Sequence, residues 1–234
     1  MLSNKLLLVT NDDGYFAEGI KALVEELYKY TKNIIVIAPS SETSAVSHSI
    51  TLRRGLLLKE ESSIYKDIKT YSVDGSPADC VSVGISYLNI KPDYVISGIN
   101  NGLNMGDDIL YSGTVAACFE AALLGYKSIA FSCNRNEFIS ASNIPDVINY
   151  ISNNEKLKNS LVLNVNMPIK HKGCIETIQG CKQFSSEYIL RDGLIYADGK
   201  FLNGTLETNE SSDIKNYHKG YISITPLTID RTKY

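Results

Sequence analysis

The sequence predicts an α/β fold: a Rossmann-like, doubly wound, mostly parallel sheet followed by a β-rich C-terminal extension with hairpins. Three observations predict it. Short apolar runs alternate with segments whose apolar residues recur at helical spacing, which is typical of parallel strands covered by helices on both faces. Polar residues cluster directly after several of the apolar runs. After Pro168 the alternation stops, and Asp-Gly pairs between short apolar runs indicate antiparallel hairpins.

The N-terminal half carries the strongest strand and helix signals. The apolar run at 6–9 predicts a strand, and the turn after it leads into a helix whose apolar residues recur from Ile20 to Tyr28. A second buried strand is predicted at 33–41. Residues 70–88 indicate a strand, a turn and a helix that begins at Ser76 as N-cap, with Pro77 in the first helical position.

The alternation continues to Pro168 and then changes. Further strands are predicted at 93–100, 128–132 and 161–168, with helices at 113–125 and 142–152. Beyond them we expect hairpins at 188–201, a polar loop at 202–216 and a late strand at 220–227. The chain is interpreted as a single domain, 1–234, with an α/β core at 1–168 and a β-hairpin extension at 169–234.

Composition narrows the class of protein. At 234 residues the chain is long enough to bury a sizeable core, and its net charge of −3 argues against a broad basic face for a nucleic-acid polymer. Five cysteines without a Cys-x-x-Cys pair indicate small core residues in a reducing compartment. The first apolar run spans only four residues, too short for a signal peptide or a membrane span. We therefore expect a cytoplasmic protein without membrane contact.

Two adjacent carboxylates, Asp12 and Asp13, stand where the first strand turns. Two unit charges about 4 Å apart repel by roughly 4 kcal/mol at an effective dielectric constant of about 20. One acid would be enough to cap the following helix, so the second needs another reason. A bound cation supplies one, although a simple capped turn remains the alternative for this motif taken alone.

Three polar loops follow predicted strands and should open on the same edge of the sheet. The first holds Asp12 and Asp13, the second is the Ser/Thr-rich segment 40–49, and the third is the Gly/Asn-rich segment 98–115. In the third, Asn100, Asn101 and Asn104 offer amide groups, and Ser112-Gly113-Thr114 opens a helix whose free N–H groups favour an anion. This composition predicts a phosphate cradle.

Positive charge is missing from these loops, because residues 10–15, 40–52 and 97–115 contain no Lys or Arg. A phosphate bound there would need a divalent cation, and the oxygen ligands on offer favour Mg²⁺ or Mn²⁺. Each loop alone also fits an ordinary turn or solvated connection, and His48 stands isolated. The hypothesis depends on the three loops meeting at one edge.

With these residues in view, the sequence resembles the SurE family of metal-dependent nucleotidases. The matching blocks span nearly the whole chain in the family's order: LLLVTNDDGYFAEGI, VIAPSSETSAVSHSITL, VDGSPADCV, PDYVISGINNGLNMGDDILYSGTVAA and GYISITPL. The resemblance implies metal ligands at Asp12, Asp13, Ser44 and Asn100. It implies a phosphate site lined by Asn11, Asn104, Ser112, Gly113 and Thr114, with Asn11 grouped with the two aspartates as catalytic.

The same resemblance implies an activity and an assembly. The expected reaction is the release of phosphate from nucleoside 5′- or 3′-monophosphates with broad base tolerance. The C-terminal hairpins are expected to exchange between the subunits of a homodimer or homotetramer. The chain departs from the family pattern at Ala45, where glycine is frequent, and at Gly75-Ser76-Pro77, where Gly-Thr-Pro is usual. The segment after TPLTID is also short, which bears on the oligomer more than on the chemistry.

The expected mechanism is an in-line attack of metal-activated water on phosphorus, with Asp12 as the first choice of proton acceptor. A rival has Asp12 as a covalent nucleophile, although the Asp-x-Asp signature of aspartyl-phosphate enzymes is absent. A regulatory module that binds a nucleotide without turnover is the alternative from another class, and the paired aspartates argue against it. A dinucleotide oxidoreductase is disfavoured because no Gly-x-Gly-x-x-Gly follows the first strand.

Overall fold

The computed structural model describes residues 1–181, 185, 187–200 and 207–232. Within them the strands are β1 (Leu7–Thr10), β2 (Ile34–Pro39), β3 (Leu58–Glu61), β4 (Lys69–Val73), β5 (Tyr94–Asn101), β6 (Lys127–Cys133), β7 (Val162–Met167), β8 (Cys174–Glu176), β9 (Tyr188–Arg191), β10 (Leu194–Ala197) and β11 (Ile222–Leu227). The helices are α1 (Glu18–Leu27), α2 (Pro77–Ser82), α3 (Gly113–Leu123), α4 (Ile144–Ser152), α5 (Glu155–Asn159) and α6 (Asp213–His218).

Nine strands form one sheet in the order β3-β4-β2-β1-β5-β6-β7-β11-β8. The neighbours from β4 to β7 are parallel, whereas β3 is antiparallel to β4 and β11 is antiparallel to β7. This mostly parallel sheet confirms the predicted fold class. Beside it, β9 and β10 form a separate antiparallel hairpin.

Side chains of β1 alternate between two cores, as strand geometry requires. Leu7 and Val9 pack on the face covered by α1 and α4, where the apolar residues of α1 are fully buried at the predicted helical spacing. Leu8 packs on the other face against α2 and α3. Each buried leucine contributes about 1.5–3 kcal/mol through removal of its side chain from water, so both helix layers are held firmly to the sheet.

The start of α2 confirms the predicted N-cap. The Ser76 hydroxyl accepts the Asp79 N–H at 3.1 Å, and the Asp79 carboxylate accepts the Ser76 N–H at 2.9 Å. This reciprocal pair is a capping box, and Pro77 occupies the first helical position because it has no N–H to satisfy. After Ser82 the helix continues as a π-helical turn, Val83–Tyr87.

The C-terminal part differs from its prediction in one element. The polar loop expected at 202–216 is wrong from Asp213 onward, because α6 begins there with the Ser212 hydroxyl as its cap; residues 202–206 lie outside the described part. The hairpin of β9 and β10 confirms the Asp192-Gly193 turn. Directly after Asp198-Gly199, Lys200 is not part of a strand, and Phe201 lies outside the described residues.

The strand predicted at 220–227 is β11, which joins the main sheet with β8. The sheet therefore continues across Pro168, and the division of the chain at that residue stays a prediction. Among the described helices, none has the length and apolar character needed to span a membrane.

Candidate active site

A cavity of about 410 Å³ opens at the carboxyl ends of β1, β2, β5 and β6. It is lined by Asp12, Asp13, Glu42, Ser44, Ala45, Asn100, Asn101, Asn104, Asp108, Tyr111, Ser112, Arg135 and Asn136. The three polar loops thus meet, as the sequence predicts. A larger cavity, about 600 Å³, lies near the end of β11 and contains none of the predicted site residues.

Asp12 is buried at the end of β1, with 5% of its surface exposed. Thr114 donates to it twice, from its N–H at 3.2 Å and from its hydroxyl at 2.5 Å. Burial raises the pKa of Asp12, and the two Thr114 hydrogen bonds oppose that rise. A Cβ on Gly113 would lie 3.0 Å from the Asp12 Cβ, so glycine allows the first turn of α3 to approach the carboxylate closely.

Asp13 is half-buried beside it. Burial raises the pKa of Asp13 to about 6, and the neighbouring charge of Asp12 contributes to that rise. The Asn101 N–H donates to the Asp13 carboxylate at 3.3 Å, a long contact that only partly offsets the desolvation. The repulsion expected from the sequence is therefore present, and a cation between the two carboxylates would relieve it.

Ser44 lies on the loop that crosses in front of β1. Thr43 holds this loop to the strand by donating its N–H to the Asp12 carbonyl at 2.8 Å. The Ser44 hydroxyl donates to Glu42 at 2.7 Å, which leaves the lone pairs of its oxygen for another partner. Ala45 has a φ of +56°, a left-handed conformation that glycine adopts more easily.

The same loop is tied to the helices behind it. His48 Nε2 lies 2.9 Å from the Glu120 carboxylate on α3, and the Ser82 hydroxyl donates to that carboxylate at 2.5 Å. The hydrogen bond from His48 lowers the pKa of Glu120. Further along, the Thr51 N–H and hydroxyl both donate to Asp79 at 2.8 Å. His48, isolated in sequence, therefore acts as a tether of the Ser44 loop.

Three asparagines of the third loop line the cavity, and two of them, Asn100 near the end of β5 and Asn104 just beyond it, are predicted site residues. The Asn100 amide nitrogen donates to the Gly102 carbonyl at 2.8 Å, so the amide oxygen is the group left for a cation. The Asn104 amide nitrogen donates to the Ser132 hydroxyl at 2.9 Å, and the Asn104 N–H donates to Asn166 at 2.9 Å. Asn104 is thus fixed by β6 and β7, with one amide proton still available.

The N-terminus of α3 carries two open donors, one on Ser112, which lines the cavity, and one on Gly113, which does not. The Ser112 hydroxyl oxygen accepts the Val115 N–H at 3.1 Å, so its own proton is free to donate. The Gly113 N–H is engaged by none of the described residues. Both donors of Thr114, by contrast, are directed to Asp12. The geometry therefore gives Thr114 the role of orienting Asp12, and its predicted contact with phosphate stays a prediction.

Asn11 does not line the cavity. Its side chain is fully buried and its amide nitrogen donates to the Gly14 carbonyl at 2.9 Å, which shapes the turn after β1. Gly14 has a φ of +98° there, a conformation that a side chain would strain. The catalytic role predicted for Asn11 stays a prediction.

A fourth loop, after β6, adds Arg135 and Asn136 to the cavity. Sequence reasoning missed both residues because it followed the loops after three strands only. The signal was present, since the polar run Asn134-Arg135-Asn136 directly follows an apolar strand, as in the other three loops. The positive charge missing from those loops is supplied here.

The four predicted metal ligands fit a hard divalent cation. Asp12 and Asp13 contribute carboxylates with raised pKa values, Ser44 a hydroxyl and Asn100 an amide oxygen. In the described part of the chain, no group of three or more His, Cys, Asp or Glu side chains could hold a metal ion. An all-oxygen set with only two charges fits Mg²⁺ or Mn²⁺ better than Zn²⁺.

Known proteins are similar to nearly the whole chain in sequence and in fold. The sequence model of the family described as "Survival protein SurE" matches residues 7–189. A protein named 5′-nucleotidase SurE from Clostridium beijerinckii is 39% identical over 97% of this chain and 94% of its own length. A protein of the same name from Caldanaerobacter subterraneus is 40% identical over 97% of this chain and 93% of its own.

Among solved structures, the crystal structure of the SurE protein from Aquifex aeolicus matches the fold with a TM-score of 0.81. The two sequences are 36% identical, and the match covers 98% of this chain and 95% of the other. The similarity therefore extends over sheet, site and C-terminal part alike.

Proposed function

Because the chain belongs to the SurE family, we propose that the cavity at the carboxyl edge of its sheet is the active site of its nucleotidase activity. The enzyme is a metal-dependent phosphatase that hydrolyses nucleoside monophosphates. The proposed substrates include 3′- as well as 5′-monophosphates. The observation that carries the assignment is the contact of Asp12, beside Asp13, with the first turn of α3.

Asp12, Asp13, Ser44 and Asn100 would hold one Mg²⁺ or Mn²⁺ ion. Such an ion polarises a phosphoryl oxygen and lowers the pKa of a water molecule bound to it. The protein's part is to hold two carboxylates together against their repulsion. Thr114 does so for Asp12, and the Asn101 N–H does so for Asp13.

The phosphate is bound by hydrogen-bond donors that have no partner among the described residues. The Ser112 hydroxyl and the second amide proton of Asn104 are available in the cavity, and the Gly113 N–H lies next to Ser112 at the start of α3. Donors fixed in place before the reaction stabilise the charge that develops on the phosphoryl oxygens without reorganising. Asp12 and Asp13 accept hydrogen bonds from the attacking water and orient it in line with the leaving oxygen.

Metal titration of the chelated protein tests this function. Phosphate release from a panel of 5′- and 3′-monophosphates should vanish in EDTA and return with Mg²⁺ or Mn²⁺. Asp12→Asn should remain inactive at every metal concentration that restores the wild type. Full turnover in excess EDTA, with no metal found by elemental analysis, would contradict the site. Phosphate binding without turnover under any metal would instead favour a regulatory nucleotide-binding module.

The proposed assembly is a homodimer or homotetramer built through the β9–β10 hairpin. Leu190 and Ile195 are directly paired across it, on one face, with 74% and 73% of their surfaces exposed. Tyr188 adds a third exposed apolar side chain to that face. An apolar face of this kind on a small hairpin favours a protein partner, and a second copy of the chain is the partner that the family resemblance implies.

The proposed location is the cytoplasm. All five cysteines are unpaired thiols, and burial raises the pKa of Cys118 to about 12 and of Cys133 to about 11. Unpaired, protonated thiols packed in a core are typical of a reducing compartment.

A further inference from the structure

Arg135 is the one cationic side chain among the described residues that line the active-site cavity. Four carboxylates line it too, those of Asp12, Asp13, Glu42 and Asp108. Even with a divalent cation bound, an ionised lining keeps a net negative charge. A phosphate dianion entering the cavity therefore meets repulsion, and the position of the single guanidinium decides how much of it is offset.

The turn that carries Arg135 is built rigidly. The Glu137 N–H donates to the Asn134 carbonyl at 3.0 Å, and the Asn134 amide nitrogen donates to the Glu137 carboxylate at 3.0 Å. Asn136 has a φ of +60°, the left-handed conformation that asparagine tolerates better than most residues. Its N–H donates to the Asn101 side-chain oxygen at 2.8 Å.

Asn101 joins this turn to the metal site. Its side chain accepts from Asn136, while its own N–H donates to the Asp13 carboxylate at 3.3 Å. Asn101 also directly follows Asn100, a proposed metal ligand. Two hydrogen bonds, from Asn136 to Asn101 and from Asn101 to Asp13, therefore connect the backbone of the Arg135 turn to one of the proposed metal-binding carboxylates.

The guanidinium of Arg135 has no partner among the described residues. Arg135 is exposed at the cavity and forms no ion pair or hydrogen bond with any residue in the described part of the chain. Arg54 differs, since it donates to the Asp74 carboxylate at 2.8 Å. A free guanidinium beside four carboxylates, on a fixed turn, has its five donors available for a ligand.

We propose that Arg135 is a substrate-binding residue whose guanidinium binds the phosphate of the incoming nucleoside monophosphate. The proposal rests on the nucleotidase function of this cavity. The planar fork of arginine matches two phosphate oxygens, and a lysine would match them less well. The Asn101–Asn136 hydrogen bond positions the turn, so Asn101 acts through Arg135 and not on the substrate.

This role predicts weaker binding of the substrate phosphate without weaker binding of the metal ion. Arg135→Ala should raise KM for AMP by about tenfold and leave kcat nearly unchanged, because an exposed charge-assisted hydrogen bond is lost. Affinity for Mn²⁺ should stay the same or rise, since a positive charge near the metal site is removed. A substitution that disturbed the whole site would instead weaken the binding of both AMP and Mn²⁺.

The experiment compares wild type, Arg135→Ala, Arg135→Lys and the control Arg53→Ala, which removes an exposed charge away from the cavity. KM is measured for AMP and for p-nitrophenyl phosphate, and calorimetry gives the affinity of the Mn²⁺-loaded protein for inorganic phosphate. We expect Arg135→Ala to raise both KM values and to lower the affinity for inorganic phosphate. Arg135→Lys should recover part of the loss, and Arg53→Ala should match the wild type.

Two results would overturn the proposal. One is phosphate affinity in Arg135→Ala equal to that of the wild type, and the other is a rise in KM confined to AMP, which would place Arg135 on the nucleoside. Phosphate binding is measured without turnover. This measurement therefore tests the role of Arg135 independently of whether the protein hydrolyses nucleotides. A wild type that binds phosphate through Arg135 but hydrolyses no nucleotide would support this proposal and contradict the nucleotidase assignment.

Discussion

At the scale of single residues, Asp12 and Asp13 are adjacent in sequence yet differ in surroundings. Asp12 is enclosed and accepts two hydrogen bonds from Thr114, whereas Asp13 is half-buried with one long contact to Asn101. The protein therefore fixes one carboxylate tightly and leaves the other in an unfavourable environment, which the proposed cation would relieve.

Asp13→Asn should weaken Mn²⁺ binding at least tenfold, because it would remove one of the two anionic ligands proposed for the metal. Calorimetric titration measures this, with Asp67→Asn as a control that removes an exposed carboxylate elsewhere. Wild-type metal affinity in Asp13→Asn would reduce Asp13 to a turn residue.

The same variant should show a pH-dependent gain in stability without metal. The folded-state pKa of Asp13 is raised from 3.8 to about 6, so protonation stabilises the native state below the lower value and this contribution is lost as pH rises through the higher one. Melting temperatures in EDTA should therefore shift in favour of Asp13→Asn between pH of about 4 and about 7. If the melting temperatures of wild type and Asp13→Asn differed by the same amount across that range, the pKa of Asp13 would not be raised in the folded protein.

Ala45→Gly should raise the stability of the protein by up to about 1 kcal/mol, because alanine at a φ of +56° is strained. Urea unfolding measures it. Ala22→Gly in the interior of α1 is the matched control and should lower stability by a similar amount. Equal losses in both variants would show that the loop does not strain Ala45.

Local pattern predicted three of the four loops that line the cavity but not how their side chains pair. Asp12, Ser44, Asn100 and Ser112 meet because parallel strands end at a common edge, a rule visible in the sequence. That Thr114 donates to Asp12 depends on how closely α3 approaches β1. Such distances are set by tertiary packing, which short-range periodicity does not encode.

At the scale of elements, α6 holds the third loop in place from the far end of the chain. The Asp213 carboxylate is fully buried and accepts N–H groups from Gly106 at 3.0 Å, Gly180 at 2.9 Å and Ile214 at 2.8 Å. Burial raises the pKa of Asp213, and these three bonds oppose the rise. Gly106 lies two residues after Asn104, so the C-terminal part supports the loop that carries Asn104 into the cavity.

Asp213→Asn should destabilise the protein by about 1.5–3 kcal/mol, because an amide nitrogen would face one of the three N–H donors. It should also raise KM for AMP by loosening the loop around Asn104. Urea unfolding and steady-state kinetics measure the two effects, with Asp192→Asn in the exposed hairpin turn as control. Unchanged stability in Asp213→Asn would show that α6 does not support the loop.

The elements missed from sequence are short or polar. β3 contains Leu-Lys-Glu-Glu and lies at the sheet edge, while α5 spans five residues and β8 three. These three segments are too short or too polar to show a strand or helix periodicity in the sequence. They form only because the rest of the sheet and the helices offer partners. The long apolar strands and amphipathic helices carried their own signals and were predicted close to their observed positions.

At the scale of the whole molecule, the site lies where the strand order reverses. From β1 the chain proceeds to β2 on one side, and β5 adds on the other side of β1. The loops after β1, β2 and β5 therefore flank a crevice at the carboxyl edge, the usual ligand site of open α/β sheets. Arg135 extends that crevice by one further strand, β6.

The hairpin prediction also belongs to this scale. Wild-type protein should elute as a dimer or tetramer in size exclusion with light scattering, and Leu190→Ser with Ile195→Ser should shift it toward monomer, because the exposed apolar face becomes polar. Circular dichroism checks that the variant stays folded. A wild-type monomer, or an oligomer unaffected by both changes, would remove the hairpin from the interface.

The central claim is that metal and phosphate occupy one cavity through different loops. Ser112→Asp tests it most directly. Aspartate also caps helices well, so α3 should persist, but its charge would repel the phosphate and occupy the same first-turn donors.

Mn²⁺ affinity and AMP turnover are therefore measured on the same Ser112→Asp sample, beside Ser112→Ala. The account predicts near wild-type Mn²⁺ binding in both variants, no AMP turnover in Ser112→Asp, and a reduced rate in Ser112→Ala of up to about 10²–10³-fold. AMP turnover at the wild-type rate in Ser112→Asp would contradict the account, because the phosphate would then not lie at the N-terminus of α3.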